Sequence, residues 1–253
     1  GGTIGTTAVA KSAADGYTLL MGSSGTVTVA PTVYKNAGYD PIKDLTPVAL
    51  VTTSSIFMAV HPGMPAATLQ EFVPAVRAKP GGYHYGSSGN ATVHHLTMEA
   101  FKAALGLDIT HVPFKGAGQS VPAVVSGQVP IVIAGFTNLA SYAKAGQVRL
   151  LAVTTKKRTP LAPDVPAMAE AGAPDVDFPG ELAIFGPTGL PRTVVEKMSA
   201  VLKSVTQMPD YEKRTNAVGI EPAFSTPEGL LEIVRVDQTK YARAVKVSGA
   251  KVE

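Results

Sequence analysis

An α/β fold with mostly parallel sheets flanked by helices is predicted by three features of the sequence. Short apolar runs alternate with Ala-rich amphipathic segments, and Gly or Pro punctuates the joins. Apolar residues make up 45% of the chain against 16% charged, enough for a well-buried core and unlike a disordered or fibrous protein. A length of 253 residues suits one large domain of this class or two smaller ones.

The strands are predicted from apolar runs bounded by turn residues. In order these are YTLLMG (17–22), PVALV (47–51), IFMAVHP (56–62), YHYGS (83–87), THVPF (110–114), VPIVIAG (129–135), VRLLAVT (148–154) and LAIFGP (182–187). Helical spacing of apolar residues predicts helices at 68–79, 93–106, 120–127, 165–172, 193–207 and 226–249. In the second of these, Val93, Leu96, Ala100, Ala103 and Ala104 fall on one face and Gly106 supplies the stop.

Several functions are disfavoured by composition. The net charge of +3 comes from interspersed basic and acidic residues, so anionic ligands are mildly favoured and no nucleic-acid face is expected. The basic run TTKKRTP reads as a solvated loop. With 0 cysteines, disulfides, thiolate chemistry and Cys-based zinc sites find no support. No apolar run reaches the ~18 residues of a membrane span. The chain starts at Gly1 with no initiator Met and no signal-peptide pattern, so a processed or truncated start is expected.

The tetrapeptide GSSG occurs twice, at Gly22–Gly25 and Gly86–Gly89, each time after an apolar run. In open α/β sheets, ligands sit beyond the carboxyl ends of strands, where loops lead into helix N-termini. The glycines permit tight turns and close backbone approach. Ser23, Ser24, Ser87, Ser88, Asn90 and Thr92 offer hydroxyl or amide groups, and the orphan N–H groups of the helix opening near Thr92 add donors. Such a turn suits a carboxylate held without an ion pair. It also suits a plain capped turn, with Asn90 or Thr92 as N-cap. A second strand-to-helix loop, Lys115-Gly116-Ala117-Gly118 before a Ser120 cap, repeats the pattern; Lys115 is either a ligand contact or a surface lysine.

Other chemistry is poorly supported. The chain has no Walker A and no dinucleotide fingerprint, since Val121 stands where the last Gly belongs, so no cofactor is expected. Ser88 lacks a nucleophile elbow, because Asn90 occupies the place of the second Gly. His94 and His95 point about 100° apart on a helix and cannot chelate one metal from one face. His61, His84 and His111 show no ligand spacing.

Six segments occur in an order that resembles one family. They are GGTIGTTAVAKSAADGYTLL, YDPIKDLTPVALV, YGSSGNATVHHL, HVPFKGAGQSVPAVVSGQV, LAVTTKKRTPLAPDVPAMAEAG and FGPTGLPRTVVEKM. The chain resembles, over essentially its whole length, the Bug-type extracytoplasmic solute receptors of tripartite tricarboxylate transporters. The resemblance implies a two-domain, type II-like periplasmic binding protein, with 1–55 and 178–253 as the first domain and 56–177 as the second. It implies a ligand in the interdomain cleft, closure about crossing strands, a periplasmic location and no enzymatic activity. The implied partners are a small carboxylate and the membrane subunits of the transporter; a monomer is expected. By position, Ser87, Ser88, Gly89, Asn90 and Thr92 match the family's second-domain carboxylate loop. Lys115, Gly116 and Gly118 match the neighbouring loop, and Ser23 and Ser24 face them from the first domain.

Three departures from the family pattern matter. A strand, Gly-rich loop and helix that precede the position of Gly1 in family members are absent from this sequence. Glu181 stands where the family usually has Trp. Pro130 and Ala134 replace acids, which removes one partner for a ligand ammonium and favours a simple carboxylate. Two rival readings remain from other classes. One is a cofactor-free α/β hydrolase using Ser88 with His95, and the other a cytosolic ligand-sensing regulator, which would need a DNA-binding segment.

Overall fold

In the computed structural model, which describes residues 2–34 and 36–250, each apolar run expected to be a strand forms one. They are β1 (Leu20–Ser23), β2 (Leu45–Ser54), β3 (Ile56–Val60), β4 (His84–Ser87), β5 (Thr110–Pro113), β6 (Ile131–Gly135), β7 (Arg149–Val153) and β8 (Gly180–Pro187), followed by a short unexpected β9 (Glu221–Pro222). The helices are α1 (Thr3–Ala10), α2 (Ala30–Val33), α3 (Leu69–Arg77), α4 (Val93–Leu105), α5 (Ala117–Val125), α6 (Phe136–Lys144), α7 (Arg192–Thr206), α8 (Pro209–Ala217) and α9 (Pro227–Ser248). The segment expected to be a helix at 165–172 is instead a 3-10 turn, Met168–Ala171.

The chain divides into two units, Gly1–Thr53 with Gly180–Lys246 and Ser54–Pro179 with Val247–Ala250. In the first, the strand order is β1-β8-β2-β9. Leu20 pairs with Phe185 and Thr52 with Pro222, both antiparallel. Val27, Leu45, Leu50, Ala183, Phe185, Leu230 and Val234 form a core between this sheet and α9, and Val48, Leu190 and Val195 pack beside α7.

In the second unit the order is β5-β4-β6-β3-β7. β4 is parallel to β5 and β6, whereas β3 is antiparallel to both β6 and β7. β4 to β7 therefore run one way and β3 runs against them. This corrects the expectation of mostly parallel sheets: the second sheet is mixed, and the β1–β8 and β2–β9 pairs of the first are antiparallel. Strand-helix-strand crossovers keep β4, β5, β6 and β7 in a common direction. β3 follows β2 after the single residue Ser55 and enters from the other direction. Every residue of β3 is buried, as a central strand covered on both faces requires.

The buried face of α4 also differs from the expected one. His95, Leu96, Thr97, Met98 and Phe101 are buried, while Ala103 and Ala104 are exposed. Turning Met98 and Phe101 inward removes more apolar surface from water than three alanines would. Gly106 closes the helix in the left-handed conformation, at φ 61° and ψ 45°.

Candidate functional site

Three helices of the second unit, α4, α5 and α6, begin at the carboxyl ends of the neighbouring parallel strands β5, β4 and β6. The α4 start is built by the GSSGN turn. Thr92 is its N-cap, with extended backbone and a hydroxyl that accepts the His95 N–H at 3.4 Å. The N–H groups of Val93 and His94 are then left without a protein acceptor among the described residues. The α5 start differs from expectation, because Gly116 is the N-cap and Ser120 lies a turn inside, buried, its hydroxyl without a partner among the described residues. Gly116 O accepts from Gln119 and Ser120, which leaves the N–H groups of Ala117 and Gly118 uncommitted among the described residues. The two starts are joined directly, since Gly116 N donates to Ser88 O at 3.1 Å.

The turn is held from below. Ser87 is fully buried, and its Oγ lies 2.6 Å from Nε2 of His111 and accepts the Gly89 N–H at 3.1 Å. The His111 ring stacks on His95 at 3.8 Å and on Tyr85 at 4.9 Å. Desolvation keeps both imidazoles neutral, lowering His95 and taking His111 down to about 3, so no charge repulsion splits the stack. Tyr85 donates to Glu99 at 2.6 Å, and burial with that carboxylate beside it raises the phenol. Ala91 is held at φ 53°, the one non-glycine with positive φ among the described residues, and its N–H donates to His95 Nδ1 at 3.0 Å. Strain of this kind persists only where the surroundings enforce it, and it gathers at ligand loops.

At the surface of the turn, Ser88 and Thr92 are half-buried and Asn90 is exposed. Ser88 Oγ lies 2.6 Å from Nδ1 of His94. Ser88 thus pairs with His94 and not with His95, whose Nδ1 is already occupied by Ala91. The Ser88–His95 hydrolase arrangement does not form. Lys115 is exposed, and its N–H donates to Gln119 Oε1 at 3.1 Å.

In the first unit, the other GSSG behaves differently. Gly25–Val29 forms a π-helical turn that runs into the four-residue α2. Ser23 Oγ and Thr26 Oγ1 are 3.3 Å apart, and Thr26 Oγ1 accepts the Ser23 N–H at 3.0 Å. Ser24 is buried; its Oγ accepts the Glu181 N–H at 3.1 Å and lies 3.4 Å from Glu181 Oε2. Glu181 shares a hydrogen bond with buried Asp237, which pairs with Lys240 at 2.8 Å. Burial first, and the Asp237 charge second, push the Glu181 carboxyl up to about 8.

The geometry brings together Ser87, Ser88, Gly89, Asn90, Thr92, Gly116 and Gly118 in one unit, with Lys115 beside them, and places Ser23 and Ser24 in the other. His94, His111 and Glu181 were not among the expected site residues. Among the described residues no helix is long and apolar enough to cross a membrane, and no group of three or more side chains could hold a metal.

This architecture, two α/β units built from separate stretches of chain, is that of periplasmic binding proteins. A Rhodopseudomonas palustris protein solved with adipate is 29% identical, with a TM-score of 0.86, covering 99% of this chain and 84% of that one. MatC from Rhodopseudomonas palustris, solved with malate, is 29% identical with a TM-score of 0.77, covering 96% and 84%. A UPF0065 protein of Bordetella pertussis is 32% identical over 227 residues, 90% of this chain and 70% of that protein. The model of the tripartite tricarboxylate transporter family receptor matches residues 1–249. The chain belongs to that receptor family.

Proposed function

We propose that the chain is the periplasmic receptor of a tripartite tricarboxylate-type transporter and that it captures a small carboxylate without transforming it. The observation that carries this reading is the pair of helix starts joined at Ser88 and Gly116. Four backbone N–H groups, those of Val93, His94, Ala117 and Gly118, stay uncommitted beside the Ser88 and Thr92 hydroxyls. Backbone donors at the positive ends of two helices suit an anion with no cationic side chain. The adipate and malate found in two similar structures support the ligand class.

In this proposal Ser88, Gly89, Asn90, Thr92, Gly116 and Gly118 contact or shape the carboxylate site, Lys115 borders it, and Ser87 supports it. Ser23 and Ser24 belong to the proposal as a first-domain loop that is shaped by its own hydrogen bonds and gives no hydroxyl to the solute, with the domain limits near residues 55 and 178. The partners are the solute and the transporter's membrane subunits, and the receptor acts as a monomer. The site has no use for a metal or cofactor.

Thermal melting with adipate, malate, aromatic acids and amino acids tests this. A ligand at 100 times its Kd adds about 2.7 kcal/mol, or roughly 5–10 °C for a chain of this size. At least one carboxylate is expected to give such a rise, unchanged by EDTA and with the acid recovered intact. No rise with any carboxylate, or consumption of the acid, refutes the proposal.

A further inference from the structure

The Ser88 hydroxyl has one proton to give and two neighbours that compete for it. His94 Nδ1 is 2.6 Å away and Thr92 Oγ1 is 3.3 Å away. Thr92 spends its own proton on Gly89 O at 2.8 Å. The state of the His94 ring therefore decides what Ser88 presents to a ligand. With Nδ1 bare, the short contact takes the Ser88 proton, and only oxygen lone pairs face outward, which repel a carboxylate. With hydrogen on Nδ1, His94 donates to Ser88, and the Ser88 proton is left to the long 3.3 Å contact with Thr92 Oγ1 or to an outside carboxylate, the stronger acceptor.

Among the described residues no hydrogen bond at Nε2 of His94 sets the tautomer beforehand; the one contact of the ring is that of Nδ1 with Ser88. The imidazolium is not the relevant form near neutral pH. Desolvation lowers the ring's pKa, and the positive end of α4 acts in the same direction. Two neutral tautomers are left, separated by a cost that one good hydrogen bond to a ligand can overcome.

We propose that His94 is a positioning residue that sets the ligand preference of this loop: in its Nδ1–H tautomer it turns Ser88 into an outward donor, and the bound carboxylate selects that tautomer. The opposite tautomer presents Ser88 as an acceptor, suited to an N–H donor. Carboxylate binding and the proton on Nδ1 are thus linked without any change in net charge. The inference rests on the reading that Ser88 faces the ligand carboxylate.

Two measurements test it on the full chain, with adipate as probe and malate in its place if adipate does not bind. Long-range proton–nitrogen correlation in the 15N-labelled protein reports which ring nitrogen carries hydrogen, and the His94→Asn spectrum assigns the signal among the 5 histidines. At saturation His94 is expected in the Nδ1–H form; a bound state in the Nε2–H form overturns the inference. Affinities of variants supply the second readout. Ser88→Ala and His94→Ala should each weaken binding roughly ten- to a hundredfold, and the double variant no further, because both remove one charge-assisted hydrogen bond. His94→Asn, whose amide can donate from the Nδ1 position, should recover most of the loss. If Ser88→Ala weakens binding but His94→Ala does not, this inference fails alone. If no carboxylate of the melting screen binds the parent, or Ser88→Ala has no effect, the reading beneath it fails.

Discussion

The two GSSG loops carry the same four residues after the same kind of strand, yet they do different work. Gly86–Gly89 leads into a 13-residue helix and leaves hydroxyl and amide donors at its surface. Gly22–Gly25 leads into a π-helical turn, and its hydroxyls are taken by Thr26 and by the Glu181 main chain. The residues that follow make the difference. Asn90, Ala91 and Thr92 supply a strained turn and a cap, whereas Thr26 supplies a hydroxyl three residues after Ser23, close enough to close the loop on itself. A tetrapeptide with donors keeps them at its surface only where something else satisfies the loop's internal needs. In the second unit the buried Ser87–His111 contact does so.

The largest expected effect lies in the first-unit loop. The folded-state pKa of Glu181, about 8, is above the ordinary carboxyl value of 4.5. The folded chain therefore holds this proton more tightly than the unfolded one. Stability from this group is full below the ordinary range and is lost as pH rises through about 8. Glu181→Gln keeps a donor toward Asp237 and cannot ionise. Relative to the parent it should gain on the order of 4–5 kcal/mol at pH 9 and little at pH 5. Denaturant melts at both pH values measure the difference; an equal effect at each would remove Glu181 as the element that distinguishes this loop.

A paired substitution tests the contrast next. Ser88→Ala should weaken carboxylate binding by about 1.5–3 kcal/mol, the size of a hydrogen bond to a charged acceptor. Ser24→Ala should leave affinity unchanged and lower stability by about 1 kcal/mol, since its hydroxyl holds β8 to the loop. Calorimetry showing equal affinity losses would make the two loops equivalent and undo the comparison.

The smallest effect is expected at the last glycine of each motif. Gly89 lies at φ 132°, and an added Cβ would stand 3.2 Å from Phe114 O; at Gly25 the nearest atom is Ser23 Oγ at 3.7 Å, with ordinary φ. Gly89→Ala should destabilise by about 1–2 kcal/mol, while Gly25→Ala should be neutral or slightly stabilising. Similar melting temperatures for the two variants would contradict the strained geometry assigned to the second-unit turn.

By itself the sequence determined the α/β class, the position of every run expected as a strand, the family and the GSSGN loop with its cap at Asn90 or Thr92, of which the structure chose Thr92. These features have local causes: apolar periodicity, turn residues and cap chemistry act over a few neighbours. The same local reading missed α8, which has no buried residue to mark a face, although Pro209, Asp210 and Glu212 gave start signals. It missed α6 because Phe136–Lys144 follows β6 with no intervening loop. It also missed α1, a Thr-rich helix with no side-chain cap. Tertiary structure alone decided the reversed direction of β3, the burial of Ser87 under His111 and the hold of Glu181 on Ser24. The last two join residues 24 and 157 positions apart. Contacts of that separation arise from how strands and helices pack, and one chain's sequence carries no periodic trace of them.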